Sequence, residues 1–175
     1  MFQEAGYAAT TVDDIAAAAG ASRATFYLHF ASKLELVSEL AEGLKPEIGA
    51  YYDSLDQILA NDDSYASLRE WMVGAVGWFD AHRTFVTISE EVGIVERFEG
   101  GAPLVSATYV VDHMPKFLAR QPRRQRERFR LRISLLVAEL SGACRMWFSG
   151  DFDVTFDDLV DELTALWHTR LELGA

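Results

Sequence analysis

Ser22, Arg23, Thr25, Tyr27 and His29 put five hydrogen-bonding side chains into eight consecutive residues, Ser22-Arg23-Ala24-Thr25-Phe26-Tyr27-Leu28-His29. Wound as a helix, this run keeps Phe26 and Phe30 on one face, because residues four apart lie one above the other. The same winding turns Arg23, Ala24, Thr25, Tyr27, Leu28 and His29 outward or sideways. A helix presented in this way fits the major groove of a nucleic-acid duplex. Its N-terminal amides, Ser22, and Lys33 a little further on can each meet a phosphate.

Such chemistry depends on the elements that hold the run in place. Thr11-Val12-Asp13-Asp14 reads as an N-cap with an acidic residue three positions later. The helix it opens runs through Ile15 and the alanines to Gly20, a natural helix-ending residue. Ser22 then caps a second short helix over Arg23 to Phe30, and Ser32-Lys33-Leu34-Glu35 is a capping box opening a third. Val12 and Ile15 can pack on Phe26 and Phe30, and Ala16 to Ala18 allow a close crossing. Two short helices joined by Gly20-Ala21-Ser22 have helix-turn-helix spacing. The spacing alone also suits a plain helical hairpin in a core.

The words themselves carry more. Gly6-Tyr7-Ala8-Ala9-Thr10-Thr11-Val12-Asp13-Asp14-Ile15-Ala16, then Ala19 to Phe30, then Ser32-Lys33-Leu34-Glu35-Leu36, resemble the DNA-binding domain of the tetracycline-repressor (TetR) family, nearly continuously from about residue 2 to 40. The resemblance implies that Thr11 caps its helix close to the DNA backbone, and that Ser22, Arg23, Ala24 and Thr25 begin the recognition helix and approach base edges. It implies phosphate contacts for Tyr27, His29 and Lys33, and core positions for Phe26 and Phe30. Leu28 stands where many relatives carry a polar or basic residue. Ala24, Leu28 and the Thr25 methyl can touch thymine methyls, and Arg23 alone can read guanine bidentately. The family domain begins with a full helix, often behind a basic arm; Met1 to Tyr7 supply only the end of that helix, so the first helix is expected to be truncated.

The chain has 175 residues, half of them hydrophobic, and a net charge of −11. That bulk charge argues against coating nucleic acid, though not against a few well-placed contacts. Its distribution is uneven. Residues 1–45 carry three basic and six acidic residues; residues 120–132 carry seven arginines; residues 151–162 carry six acids and no base. The arginine cluster reads as a solvated helix start with acidic partners. One cysteine, Cys144, excludes an intramolecular disulfide and a cysteine-based zinc site. No apolar run approaches a membrane span, and no secretory leader follows Met1, so a cytoplasmic location is expected.

Almost every segment reads as helix, so the fold class is all-α. The expected organisation is a three-helix DNA-binding domain over 1–45 and a helical ligand-binding and dimerisation domain over 46–175. Pro46 either kinks its helix or breaks it. Asn61-Asp62-Asp63-Ser64 is a turn and cap before a helix to His82, and Thr84 to about Phe98 follows. Gly100-Gly101 breaks the chain, Pro103 suits the first turn of the next helix, and Pro115 predicts a bend near Asp112. Arg123 to Phe148 is expected to be the longest helix. Thr155 to Asp158 caps the last.

The helix after Pro122 has two apolar faces, Ile133, Leu136/Val137, Leu140, Cys144 and Trp147 on one, Leu135, Ala138 and Gly142 on the other. One face suits its own subunit and the other a partner. The resemblance implies the same, a homodimer through the last two helices, as a palindromic double-stranded DNA operator requires. It also implies a pocket in the middle helices for a small apolar or aromatic effector. Trp71, Trp78, Phe85, Tyr109, Asp112, His113 and Phe117 are its candidate residues, each of which could equally be core. No cofactor or metal is expected. The four histidines are scattered, Glu90 and Glu91 face different ways, and Asp151-x-Asp153 lacks the glycine of a calcium loop. The function expected is a ligand-responsive DNA-binding regulator, a repressor, and not an enzyme. The alternative is a dimeric helical small-molecule binding protein without DNA binding.

Overall fold

The computed structural model describes residues 2–62, 64–98 and 104–173. Among them are ten α-helices and no strand: α1 Phe2–Ala9, α2 Val12–Ala18, α3 Arg23–His29, α4 Lys33–Asn61, α5 Tyr65–Ala81, α6 Arg83–Phe98, α7 Ala107–Asp112, α8 Pro115–Arg120, α9 Arg126–Ser149 and α10 Phe156–Arg170. The expected all-α class holds. Asp63, Gly100, Gly101 and Pro103 lie outside the described residues.

Helix starts follow hydroxyl side chains. Thr11, Ser22, Ser64, Ser106 and Thr155 each accept a hydrogen bond from a backbone N–H in the first turn, which satisfies amides the helix itself cannot pair. At α2 and α10 the pairing is reciprocal. Asp14 accepts from the Thr11 N–H at 2.9 Å, and Asp158 from the Thr155 N–H at 2.9 Å. The hydroxyl hydrogen bonds from Thr11 and Thr155 hold both carboxyls below the ordinary aspartate value. α7 opens on Ser106, later than a start near Pro103.

The prolines act in different ways. Pro46 neither ends nor interrupts α4, which runs through it and, at 29 residues, is longer than the 24-residue α9. Pro115 does more than bend a helix. It is the first residue of α8, and the expected bend is a full break between α7 and α8. Residues 123–125 form a separate 3-10 turn ahead of α9.

The chain forms two compact units. The first comprises residues 1–46 and 84–105, the second 47–83 and 106–175. The chain passes from the first unit to the second after Pro46, and most of α6 belongs to the first unit. The reason is apolar: Val37 of α4 and Ile88 and Val92 of α6 are buried together, with Tyr7, Leu34 and Leu104 packed on them.

The second unit buries a larger core. Leu55 and Leu59 of α4, Met72 and Val76 of α5, and Leu140 and Leu163 of α9 and α10 belong to it. α8 is too short to hold itself, because its N-cap, Met114, makes no side-chain bond. Asp56 of α4 makes good the deficit. Its buried carboxylate accepts the Phe117 N–H at 2.7 Å and the Lys116 N–H at 3.0 Å. A negative charge at a helix N-terminus also suits the helix dipole. Asp56→Ala orphans two amides at this junction and is expected to cost about 2–4 kcal/mol, with Asp56→Asn intermediate; urea denaturation of the three proteins measures both.

A candidate nucleic-acid interface

The two-helix unit is built from caps and one buried ring. α2 ends in a paired set of bonds, Gly20 N–H to the Ala17 carbonyl at 3.1 Å and Ala21 N–H to the Ala16 carbonyl at 2.8 Å. These absorb the last carbonyls of α2 and turn the chain within three residues. Ser22 then starts α3, accepting the Thr25 N–H at 3.0 Å. Phe26 is the one buried side chain of α3. Its ring lies 5.5 Å from those of both Phe30 and Tyr27.

The consequence is an open helix face. Ser22, Arg23, Ala24, Thr25, Tyr27, Leu28 and His29 are all exposed, as is Thr11. Leu28 is 82% exposed and Tyr27 46%, large values for apolar side chains. Eight of the nine expected contact residues are therefore brought to the surface of one small element pair or its cap. The hydroxyls of Thr11 and Ser22 already serve as caps. Thr11 donates its hydroxyl to Asp14 at 2.6 Å, and Ser22 shares a hydrogen bond with the Thr25 hydroxyl at 2.9 Å.

Lys33 differs. Its ammonium donates to the Tyr7 carbonyl and, at 2.7 Å, to the Thr10 carbonyl, and it sits 4.1 Å from the centre of the Tyr7 ring. Two of its three protons are thus spent on the end of α1, where helix carbonyls lack partners. A phosphate role for Lys33 has at most one proton left to use. Its structural role was invisible in sequence because the partners are backbone groups 23 and 26 residues away.

Sequence reasoning also missed Glu91. Its carboxylate accepts the Tyr7 N–H at 2.6 Å. The neighbouring Gly6 has φ 76° and ψ 170°, a backbone region open essentially to glycine alone. A Cβ at that position would also stand 3.2 Å from the Glu91 carboxylate. Thr10 completes the turn, buried and donating its hydroxyl to the Gly6 carbonyl at 2.7 Å.

Residues 1–40 match the family model for bacterial regulatory proteins of the tetR family. Residues 1–40 are thus similar to the amino-terminal segment of that family. The chain is 46% identical over 61 residues to the HTH-type transcriptional repressor KstR2 of Mycobacterium tuberculosis, covering 35% of this chain and 30% of that protein. It is 33% identical over 91 residues to KstR2 of Rhodococcus jostii, covering 52% and 44%. The chain thus spans less than half the length of the curated relatives it matches. Across 99% of this chain and 94% of the other, the fold resembles that of the TetR family transcriptional regulator PfmR from Thermus thermophilus, with a TM-score of 0.53 and 23% identity. The tetR-type domain accounts for α1 to α3 and the start of α4; the helices beyond share the architecture.

The residues expected around an effector are divided between the two units. Phe85 falls in the first unit and the other six in the second. Trp71 and Phe117 are core, and packing explains them. Trp71 lies against Tyr52 and Trp167 and donates to the Tyr51 carbonyl at 2.9 Å, and Phe117 packs edge-on to Phe129. Trp78 is buried and stacks on His82 at 4.3 Å, its indole N–H unpaired among the described residues. Asp112 is exposed and bound by Arg130 at 3.1 Å. Tyr109 and His113 do meet, ring centres 4.8 Å apart, and His113 bonds Asp53 at 2.9 Å. The His113 ring and the Tyr109 hydroxyl both press on Gly49, where a Cβ would lie 2.6 Å from His113 Cε1 and would displace them.

Three other expectations resolve simply. Cys144 is buried, which pushes its thiol up to about 12 and fits a packing role. The Asp151–Thr155 stretch leads into a capped helix. The arginine cluster is held as much by backbone carbonyls as by acids: Arg120 bonds the Leu59 carbonyl, Arg126 those of Ala119 and Gln121, and Arg132 both the Arg170 carbonyl and Glu172. Among the described residues no helix is long and apolar enough to cross a membrane.

The internal role of Lys33 is checked by Lys33→Met. It is expected to lower the stability of the chain by about 1–3 kcal/mol, the scale of hydrogen bonds to a charged group. Arg23→Ala, at an exposed position, is expected to leave stability within about 0.5 kcal/mol. Thermal melts of the two variants beside the native chain make the comparison.

Proposed function

We propose that this protein is a DNA-binding transcriptional repressor that acts as a homodimer and is released from a palindromic operator by a small apolar or aromatic effector. The observation that carries the reading is the α2–α3 pair. A tetR-type sequence is folded there so that Phe26 alone is buried and every other α3 side chain is open. The curated relatives that match part of the chain are named repressors. Ser22, Arg23, Ala24 and Thr25 approach base edges in the major groove, Leu28 contributes a methyl surface, and Tyr27, His29 and the cap of α2 at Thr11 meet the phosphates.

Dimerisation through α9 and α10 is supported by what their outer faces leave bare. Leu131, Leu135 and Met146 on α9, and Leu166 on α10, are exposed. Gly142, Ala143 and Leu159 line the groove beside them. The opposite face of α9, with Ile133, Leu136, Leu140 and Cys144, is buried in its own unit. Apolar residues at positions 131, 135, 142 and 146 make a stripe long enough to seat a second copy of the same pair. Two recognition helices then meet successive major grooves.

Effector release is a population shift, in which the effector binds better to a form whose two recognition helices no longer match the operator. Tyr109 and His113, beside the α7–α8 break, are the candidate polar contacts that the fold keeps together.

Two experiments test the reading. Fluorescence anisotropy with the chain's own upstream DNA, at several salt concentrations, is expected to show salt-sensitive binding that Tyr27→Ala weakens at least tenfold, about the effect of 1.4 kcal/mol. Binding no tighter than to random duplex, persisting after selection from a random-sequence pool, would favour a helical binding protein. Leu135→Glu is expected to convert the dimer to monomer in sedimentation and to lower operator affinity with it; a native chain that sediments as a monomer at micromolar concentration overturns the dimer.

A further inference from the structure

The two adjacent acids at the start of α2 have different duties. Asp14 is occupied by the cap, bonded to both the N–H and the hydroxyl of Thr11. Asp13 takes no part in it. Its Oδ2 instead accepts from Nη1 of Arg23 at 2.9 Å, across the turn between α2 and α3. Arg23 is the first residue of α3, and its guanidinium also stands 5.5 Å from the centre of the Tyr27 ring. The Tyr27 ring in turn rests edge-on against buried Phe26. One N–H of the guanidinium is therefore tied to α2 and its carbon lies over a ring fixed to the core, while Arg23 and Asp13 are both about 60% exposed.

An arginine offers five N–H groups in a rigid fork. Tying one leaves enough for a bidentate contact and removes much of the rotamer freedom the side chain would otherwise lose on binding. An isolated exposed ion pair adds little to stability, so the pair is better explained by orientation than by folding. Arg23 is the one arginine or lysine on α3, and bidentate guanidinium contacts in the major groove go to guanine O6 and N7. We infer that Asp13 is a specificity-determining residue, a buttress that aims Arg23 so that α3 selects guanine at one position of its site. This rests on the DNA-binding reading above.

The test is selection from a random-sequence duplex pool with the native chain, Arg23→Ala, Asp13→Asn and the double variant, followed by anisotropy on the selected duplex and on single-base changes of it. The native chain is expected to show one guanine preference that Arg23→Ala removes, a loss of roughly five- to hundredfold in discrimination. Asp13→Asn is expected to weaken that same preference about two- to fivefold, the scale of an exposed ion pair, while affinity for random duplex holds or rises because a negative charge has gone. In the Arg23→Ala background Asp13→Asn changes base preference no further. Melting curves separate a folding defect from this effect. If Asp13→Asn lowers affinity for all duplexes alike, Asp13 merely supports α2 and the inference is overturned. If it sharpens the guanine preference, Asp13 competes with DNA for Arg23, which overturns it equally. A native chain that enriches no sequence overturns the DNA-binding reading itself.

Discussion

Phe26 is the only side chain of α3 that is buried, and a seven-residue helix with one anchor is far below the length at which a helix holds itself in water. Everything that makes α3 usable follows from that shortage. Its first turn depends on the Ser22 hydroxyl, its approach on the bonds closing α2 at Gly20 and Ala21, and its orientation on where the Phe26 ring is seated. In return, a helix that buries so little leaves nearly its whole circumference open. A longer, better-anchored helix would gain stability and lose the open face.

The sequence made this arrangement legible because its determinants are local. A capping hydroxyl and its partner are three residues apart, as in Thr11–Asp14 and Thr155–Asp158, and helical phase separates Phe26 from Arg23 and Tyr27 without any tertiary information. The two faces of α9 were legible for the same reason: burial divides them as the periodicity predicts. Pro46 was not decidable, because a proline within a long apolar stripe costs a hydrogen bond that surrounding packing can outweigh, and α4 continues through it.

What sequence could not supply is long-range and polar. Glu91 meets Tyr7 across 84 residues, Asp56 meets Phe117 across 61, and Lys33 meets Tyr7 across 26. In each case a charged side chain satisfies backbone groups, and backbone groups have no sequence signature. The same blindness affected the expected effector residues. Trp71 and Phe117 have the composition of a pocket and the packing of a core, and only the neighbours of a ring tell the two apart. Such charged anchors also explain how α1 and α8, of eight and six residues, are held. These two short helices each close an end by borrowing a charge from elsewhere.

Under the proposed function a chain of net charge −11 would have to address a polyanion. Bulk attraction is not available to it, so affinity cannot come mainly from the protein's overall field. Three acids of the α2–α4 segment are not bare, however. Asp14 is bound into a cap, Glu35 accepts the Ala31 N–H, and Asp13 is neutralised by Arg23. These three carboxylates are thereby tied to local donors and present less repulsion than their formal charge suggests. A recognition element built in this way relies on shape, caps and a few directed contacts. With little electrostatic attraction to share among all sequences, the directed contacts decide a larger part of which duplex is held.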